Sequence, residues 1–400
     1  MASRFGSRST WDSRNLCTCI ARGREVATRN GKTRQGSKMT RTIIFVSHTG
    51  EISGAELVML QLMRLAHEQG FTVMLACPEG PLRDRARASV DFETVTLPTL
   101  SLRGEGGLAR VLAILEVAKN WRIAGRIIAS RAQSASSTVI VNSLFALPVI
   151  RLGRVPQRAT WLVHDTLSST KQRIVVRIAK PGIRRAVAVS GPTSLPVLSL
   201  GIPTSVSRLG VVVPPEVTEV RSPARRVVGI IGSLTPWKGH LVLMDAIART
   251  VDVQLEIAGL PFPGDEMYAQ VLRERAQQPD LAGRVTFLGY VDSLATIKGW
   301  DIAISASTSP EAGPLVALEA MSIGVPVVGT DLGGTSELLG DGAGSLVEPS
   351  DSVELAAEIT RLLEDGSARS ELSRIGRRKV EDRYDIQKNL PALLKELIDG

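Results

Sequence analysis

The stretch Ile302-Ala-Ile-Ser-Ala-Ser-Thr-Ser-Pro-Glu311-Ala-Gly-Pro-Leu-Val-Ala-Leu-Glu319-Ala-Met-Ser-Ile-Gly-Val-Pro-Val-Val328 decides how the rest of the chain is read. A short apolar run ends in a loop of small residues. A helix is predicted from about Gly313–Pro314 to Ile323, stopped by Gly324, with Pro326 opening a second apolar run. Backbone N–H groups at such a helix start, with the helix dipole behind them, can hold a diphosphate. A carboxylate deeper on the helix can accept hydrogen bonds from two ribose hydroxyls, because both its oxygens are acceptors. Glu311 stands before the predicted helix and Glu319 within it. A single Glu here reads as a solvated helix charge. Two, with seven residues between them on a strand–loop–helix ending in Gly-x-Pro-Val, read as a site.

Outward from this segment, short apolar runs alternate with amphipathic stretches. Strands are predicted at 43–47, 72–76, 93–96, 138–141, 159–163 and 186–189. Helical patterns lie between them, such as Ala55–Glu68 with Leu57, Leu60, Leu62 and Leu65. A Pro- and Val-rich break then runs from Val211 to Pro223, and Pro214, Pro215 and Pro223 suit a linker. The pattern restarts with strands at 226–231, 253–258, 284–287, 302–305, 325–329 and 344–347. Alternation of this kind means parallel sheets with helices on both faces, here two Rossmann-like, doubly wound α/β halves around a cleft. Ligands in such sheets sit beyond the carboxyl ends of the strands. The expected domains are 39–215 and 216–385, with a C-terminal helix, 386–400, able to cross back to the first domain. Residues 1–38 read as a disordered basic tail, or as a stretch upstream of a true start at Met39.

Three further segments carry chemistry. In Val228-Gly-Ile-Ile-Gly-Ser233-Leu-Thr-Pro-Trp-Lys238-Gly-His240, a strand ends and a helix opens. An ammonium there can neutralise a diphosphate leaving group. His164-Asp165 ends the strand 159–163, where an imidazole could bond a sugar, oriented by the carboxylate. Gly54-Ala55-Glu56 follows the first strand, where the glycine would let backbone approach a phosphate. His48 also ends a strand, with a less defined role. The chain has no Asp-x-Asp and no His/Cys cluster, so no metal site is expected.

The Glu311–Val327 segment resembles glycosyltransferase family 4, the large GT-B group of retaining transferases. That family's motif reads Ser-x-x-Glu-Gly-Phe-Pro-x-x-x-x-Glu-Ala-Met-x-x-Gly-x-Pro-Val. Glu311, Pro314, Glu319, Ala320, Met321, Gly324, Pro326 and Val327 match it, with Ala312-Gly313 in place of Gly-Phe. The likeness continues through Thr330-Asp-Leu-Gly333-Gly334-Thr335-Ser-Glu337 and covers nearly everything from Met39 onward. It implies His164, Asp165, Lys238 and Glu311 as catalytic residues. It implies Gly54, Ser233, Lys238, Gly313, Leu315 and Glu319 as donor-binding residues. The donor would be a nucleotide-diphosphate sugar, with no cofactor. The acceptor would be a glycan or a lipid-linked molecule, in cell-surface polysaccharide or glycolipid synthesis. Two further positions depart from the family. Ser233 stands where the family has Arg, so the usual Arg clamp on the diphosphate is missing there, with Arg208 a candidate substitute. Leu209 stands where the family has Asn. A sugar-nucleotide epimerase, a phosphorylase or a non-catalytic binding protein on the same fold are the alternatives.

The net charge of +8 is unevenly spread. Residues 1–38 carry +7, 39–116 carry −2, 117–215 carry +13 and 216–400 carry −10. This division argues against nucleic acid as a partner and for an anionic membrane surface. A basic amphipathic helix is expected across Lys171, Arg173, Arg177, Lys180, Arg184 and Arg185, with Ile174, Val175, Ile178 and Ile183. No run of about 20 apolar residues occurs, and the three cysteines form no disulfide framework. The expected location is cytoplasmic, peripheral at the inner face of the membrane.

Overall fold

The computed structural model describes residues 41–90, 92–100, 108–132, 137–215 and 226–399. The basic tail and the second part of the linker, with Pro223, lie outside these residues.

The first half runs β1 (Thr42–Val46), α1 (Gly54–Glu68), β2 (Thr72–Cys77), α2 (Pro81–Ser89), β3 (Glu93–Thr96), α3 (Leu108–Arg131), β4 (Thr138–Val141), α4 (Pro148–Leu152), β5 (Ala159–Val163), α5 (Thr170–Ala179), β6 (Ile183–Ala188), α6 (Gly191–Leu198) and β7 (Thr204–Val206). The second runs β8 (Val227–Ile231), α7 (His240–Ala248), β9 (Gln254–Ala258), α8 (Glu266–Ala276), β10 (Val285–Gly289), α9 (Ser293–Ile297), β11 (Ile302–Ser305), α10 (Leu315–Ser322), β12 (Val327–Thr330), α11 (Gly334–Leu339), β13 (Ser345–Val347), α12 (Ser352–Glu364), α13 (Gly366–Arg383) and α14 (Ile386–Asp399).

The strands form two parallel sheets, ordered β3-β2-β1-β4-β5-β6-β7 and β10-β9-β8-β11-β12-β13. Both are doubly wound. The order reverses between β1 and β4 in one sheet and between β8 and β11 in the other, which opens a crevice at each reversal. The central strands are apolar on both faces because helices cover both. On one face of the first sheet, Trp121 and Ile128 of α3, Val149 of α4 and Val176 of α5 share a core with Ile44 and Val139. On the other, α1 packs with α14, whose Leu393, Leu394 and Leu397 join Ile43 and Phe45.

The chain passes between the sheets twice, and the two crossings are hydrogen-bonded to each other. The N–H of Val211 donates to Tyr384 O at 2.8 Å, and that of Ile386 donates to Val211 O at 3.0 Å. Among the described residues, no helix is long and apolar enough to cross a membrane.

One expectation is corrected here. The basic helix predicted through Arg185 ends at Ala179. Ile183, Arg184 and Arg185 belong to β6, where Ile183 pairs with Ala159 of β5. Ladder bonds to a buried neighbour outweigh the helical spacing of the apolar residues.

Candidate active site

Loops at both sheet reversals meet in one cleft. On the second-domain side, β11 hands over to the loop 306–314 and then to α10. Pro314 caps that helix, which leaves the N–H groups of its first turn free of intrahelical partners. Gly324, at φ +79°, ends the helix. Its N–H and that of Val325 close on Met321 O and Ala320 O, at 3.1 and 2.9 Å. The loop is pinned from the next crossover, where the Gly334 N–H donates to Glu311 O at 2.7 Å. A Cβ on Gly334 would lie 2.2 Å from Ala312 O, so only glycine allows this approach.

The carboxylate of Glu311 is held twice. Oε2 lies 2.7 Å from Lys238 Nζ, and Oε1 accepts the Ser307 hydroxyl. Lys238 closes the short turn after β8, and its ammonium sits 4.4 Å from the ring centre of Trp237. Ser233, half-buried, follows the same strand. Glu319 lies one turn into α10, and burial pushes its carboxyl above the ordinary range, with the Asp292 charge adding to the rise and Ser293 opposing it.

On the first-domain side, three strand ends converge. Glu56 Oε2 accepts the Ser53 N–H at 3.2 Å and the Ser53 hydroxyl at 2.5 Å, and Oε1 accepts Ser47 at 3.3 Å. His48 Nδ1 lies 2.5 Å from Ser143 Oγ. Burial lowers His48 to a pKa of about 4, so its ring is neutral near pH 7. His164 is lowered to about 4 by the same cause, and its Nε2 is buried without a partner. Burial raises Asp165 to about 6; the Leu144 N–H opposes the rise and the Glu56 charge adds to it. The His164-Asp165 pair in the sequence predicts a carboxylate that orients the imidazole. Its Oδ2 instead accepts the Leu144 N–H at 3.2 Å, and the two side chains do not bond to each other. A carboxylate between two strand ends serves the nearest unpaired backbone donor first.

The walls touch directly. Thr166 Oγ1 donates to Pro310 O at 2.9 Å. A Cβ on Gly54 would lie 3.4 Å from Leu315 Cδ1, which places the starts of α1 and α10 against each other. Glu337 of α11 accepts the Gly191 N–H at 2.8 Å, at the start of α6, and pairs with Arg208 at 3.5 Å. Arg208 is thus committed to Glu337. Leu209 is buried against Gly313 and lines, with Ser190, Glu337 and Tyr384, a small pocket between the halves.

The structure therefore gathers Lys238, Glu311 and Gly313 at one wall and His164, Asp165 and Gly54 at the other. The Ser143 partner of His48, the Ser307 support of Glu311 and the cross-cleft role of Glu337 were not read from the sequence. Only Glu337 carried a signal, as part of the Gly333-Gly334 segment. Among the described residues, no group of three or more His, Cys, Asp or Glu side chains could hold a metal ion.

Residues 218–379 match the family model described as Glycosyl transferases group 1. The phosphatidyl-myo-inositol mannosyltransferase of Mycolicibacterium smegmatis is 37% identical over 143 residues, 34% of this chain and 35% of that protein. The lipopolysaccharide core biosynthesis mannosyltransferase LpsB of Rhizobium meliloti is 30% identical over 193 residues, 44% and 54% of the two chains. The chain thus spans about a third to a half of these relatives' lengths. Among solved structures, HepE of Anabaena, in complex with UDP and glucose, superposes with a TM-score of 0.72 at 22% identity, over 90% of this chain and 99% of that one. The fold is GT-B, as the sequence predicts.

Proposed function

We propose that the protein is a retaining glycosyltransferase that moves a hexosyl residue from a nucleoside-diphosphate sugar to a hydroxyl of a glycan or lipid-linked acceptor. The observation that carries this reading is the Lys238–Glu311 pair beside the free N-terminus of α10. An ammonium and a row of backbone N–H groups suit a diphosphate, and Glu311 beside them suits sugar hydroxyls. Glu319, deeper on the same helix, would accept the ribose hydroxyls. Lys238 and the helix dipole would balance the charge of the leaving diphosphate without a metal ion.

In the step itself, the bond from the anomeric carbon to the phosphate oxygen breaks and a bond to the acceptor oxygen forms on the same face. The acceptor proton passes to the departing phosphate. His164, half-buried and neutral, would bond the sugar or the acceptor from the opposite wall, and Asp165 would keep the Leu144 backbone in place beside it. The mannosyltransferases among the relatives support transfer of a hexose to a lipid-linked acceptor. An enzyme using such an acceptor would work peripherally, at the inner face of the membrane.

The intact set of Lys238, Glu311, Glu319 and His164 speaks against a non-catalytic binding protein. Ligand-observed NMR with UDP, GDP and ADP sugars, followed by a donor-hydrolysis assay, tests the proposal. Binding and slow hydrolysis of one donor are expected. Indifference to all three would leave a binding role on the same fold as the better reading.

A further inference from the structure

Helices α3, α4 and α5 form one layer, with α3 packed on α4 and α4 on α5. All three bury their inner faces in the same core, so their outer faces share one surface of the first domain. That surface is unusual in two respects. It exposes large apolar side chains, with Leu112 at 59%, Leu115 at 62% and Ile174 at 49% of their full accessibility, and Ile123 and Ile178 beside them. Single exposed apolar residues are ordinary, but a group of them on one layer is not.

The second respect is charge. On α3, Lys119, Arg122 and Arg126 follow Leu112 and Leu115 at helical spacing, all exposed. On α5, Lys171, Arg173 and Arg177 are exposed around Ile174 and Ile178. Among the described residues, none of these six cations pairs with a carboxylate. On the second domain the pattern differs: Arg361 pairs with Glu358, Arg374 with Glu371 and Arg377 with Glu381. Unpaired cations among apolar side chains combine long-range attraction to negative charge with short-range insertion into a hydrocarbon boundary.

We propose that the outer faces of α3 and α5 dock on an anionic lipid bilayer, with Ile174 and Ile178 entering the headgroup boundary and the six cations facing lipid phosphates. This rests on the reading of the acceptor as lipid-linked, and assigns the surface that would bring the cleft to it. The second domain has a net charge of −10 over residues 216–400 and would be held away from the same membrane.

The test is co-sedimentation of the full chain with vesicles of phosphatidylcholine alone and of phosphatidylcholine with an equal part of phosphatidylglycerol. Binding should be at least tenfold stronger to the anionic vesicles and should fall as salt rises. Because residues 1–38 also carry +7, the deciding comparison is with variants of exposed residues. Arg173→Glu combined with Arg177→Glu should weaken binding well over tenfold, at about fivefold for each basic residue lost. Ile174→Ser with Ile178→Ser should weaken it several-fold without changing its salt dependence. Equal sedimentation with both vesicle types, none with either, or wild-type binding by the charge-reversed variant would overturn the proposal. Donor binding by NMR is a separate measurement. A chain that binds a nucleotide sugar but no vesicles keeps its proposed function and loses this surface, and the opposite result has the opposite meaning.

Discussion

The ammonium of Lys238 and the carboxylate of Glu311 lie 2.7 Å apart at the mouth of the cleft. Each group assigned to a part of the donor is therefore already neutralised by the other. A diphosphate must compete with Glu311 for the same ammonium. Glu311→Gln should free Lys238, tighten binding of a nucleoside diphosphate without its sugar several-fold, and lower turnover with the intact donor. Lys238→Ala should reduce turnover more than binding. Calorimetry with UDP and GDP, paired with turnover, reads both. Weaker diphosphate binding by Glu311→Gln would show that the carboxylate supports Lys238 rather than competing for it.

Glu319 has a different dependence. Burial disfavours its charged form, so its oxygens gain from hydroxyl donors in a bound ribose. Glu319→Ala should weaken donor binding by about 1.5–3 kcal/mol, the range of one charge-assisted hydrogen bond. Unchanged donor affinity would remove the ribose assignment.

Turnover in EDTA should equal turnover with added magnesium, because Lys238 and the start of α10 are proposed to carry the countercharge. Strict dependence on a divalent ion would remove the metal-free mechanism.

Three histidines set an acid limit. His48, His164 and His240 are each lowered from 6.5 to about 4, chiefly by burial. Each takes up a proton on unfolding between those values, so its contribution is present above pH 6.5 and lost as pH falls toward 4. Asp165, raised from 3.8 to about 6, has the opposite sign and offsets one of the three. Urea midpoints should fall with acidification, and His164→Asn should flatten the slope between pH 6.5 and 4.5 by about one proton. An unchanged slope in that variant would show that His164 is not held neutral by the fold.

Glu337 joins the two halves through Gly191 and Arg208. Glu337→Ala should loosen the cleft by about 1–2 kcal/mol, since the pair is partly open to solvent. Hydrogen exchange at the start of α6 should speed up roughly ten-fold while α3 is unchanged. Equal protection at α6 in both proteins would assign the cross-domain hold to Thr166 and the paired crossings instead.

Much of this could be read along the chain. The strands at 138–141, 159–163 and 302–305 fall on the apolar runs, because a strand buried on both faces is a local compositional signal. The stop of α10 at Gly324 is local as well, since a left-handed backbone at that point needs only glycine. What tertiary structure alone decided is partner choice. Lys238 and Glu311 are 73 residues apart, His48 and Ser143 are 95, and Gly191 and Glu337 are 146. No spacing rule reaches that far. The same holds for Arg184 and Arg185, whose helical pattern lost to a ladder with β5, and for β7, a three-residue edge strand that exists through its pairing with β6. A periodic pattern states which face a segment would bury. Which groups meet across a cleft depends on backbone hydrogen bonds and charges brought together only when both sheets have closed.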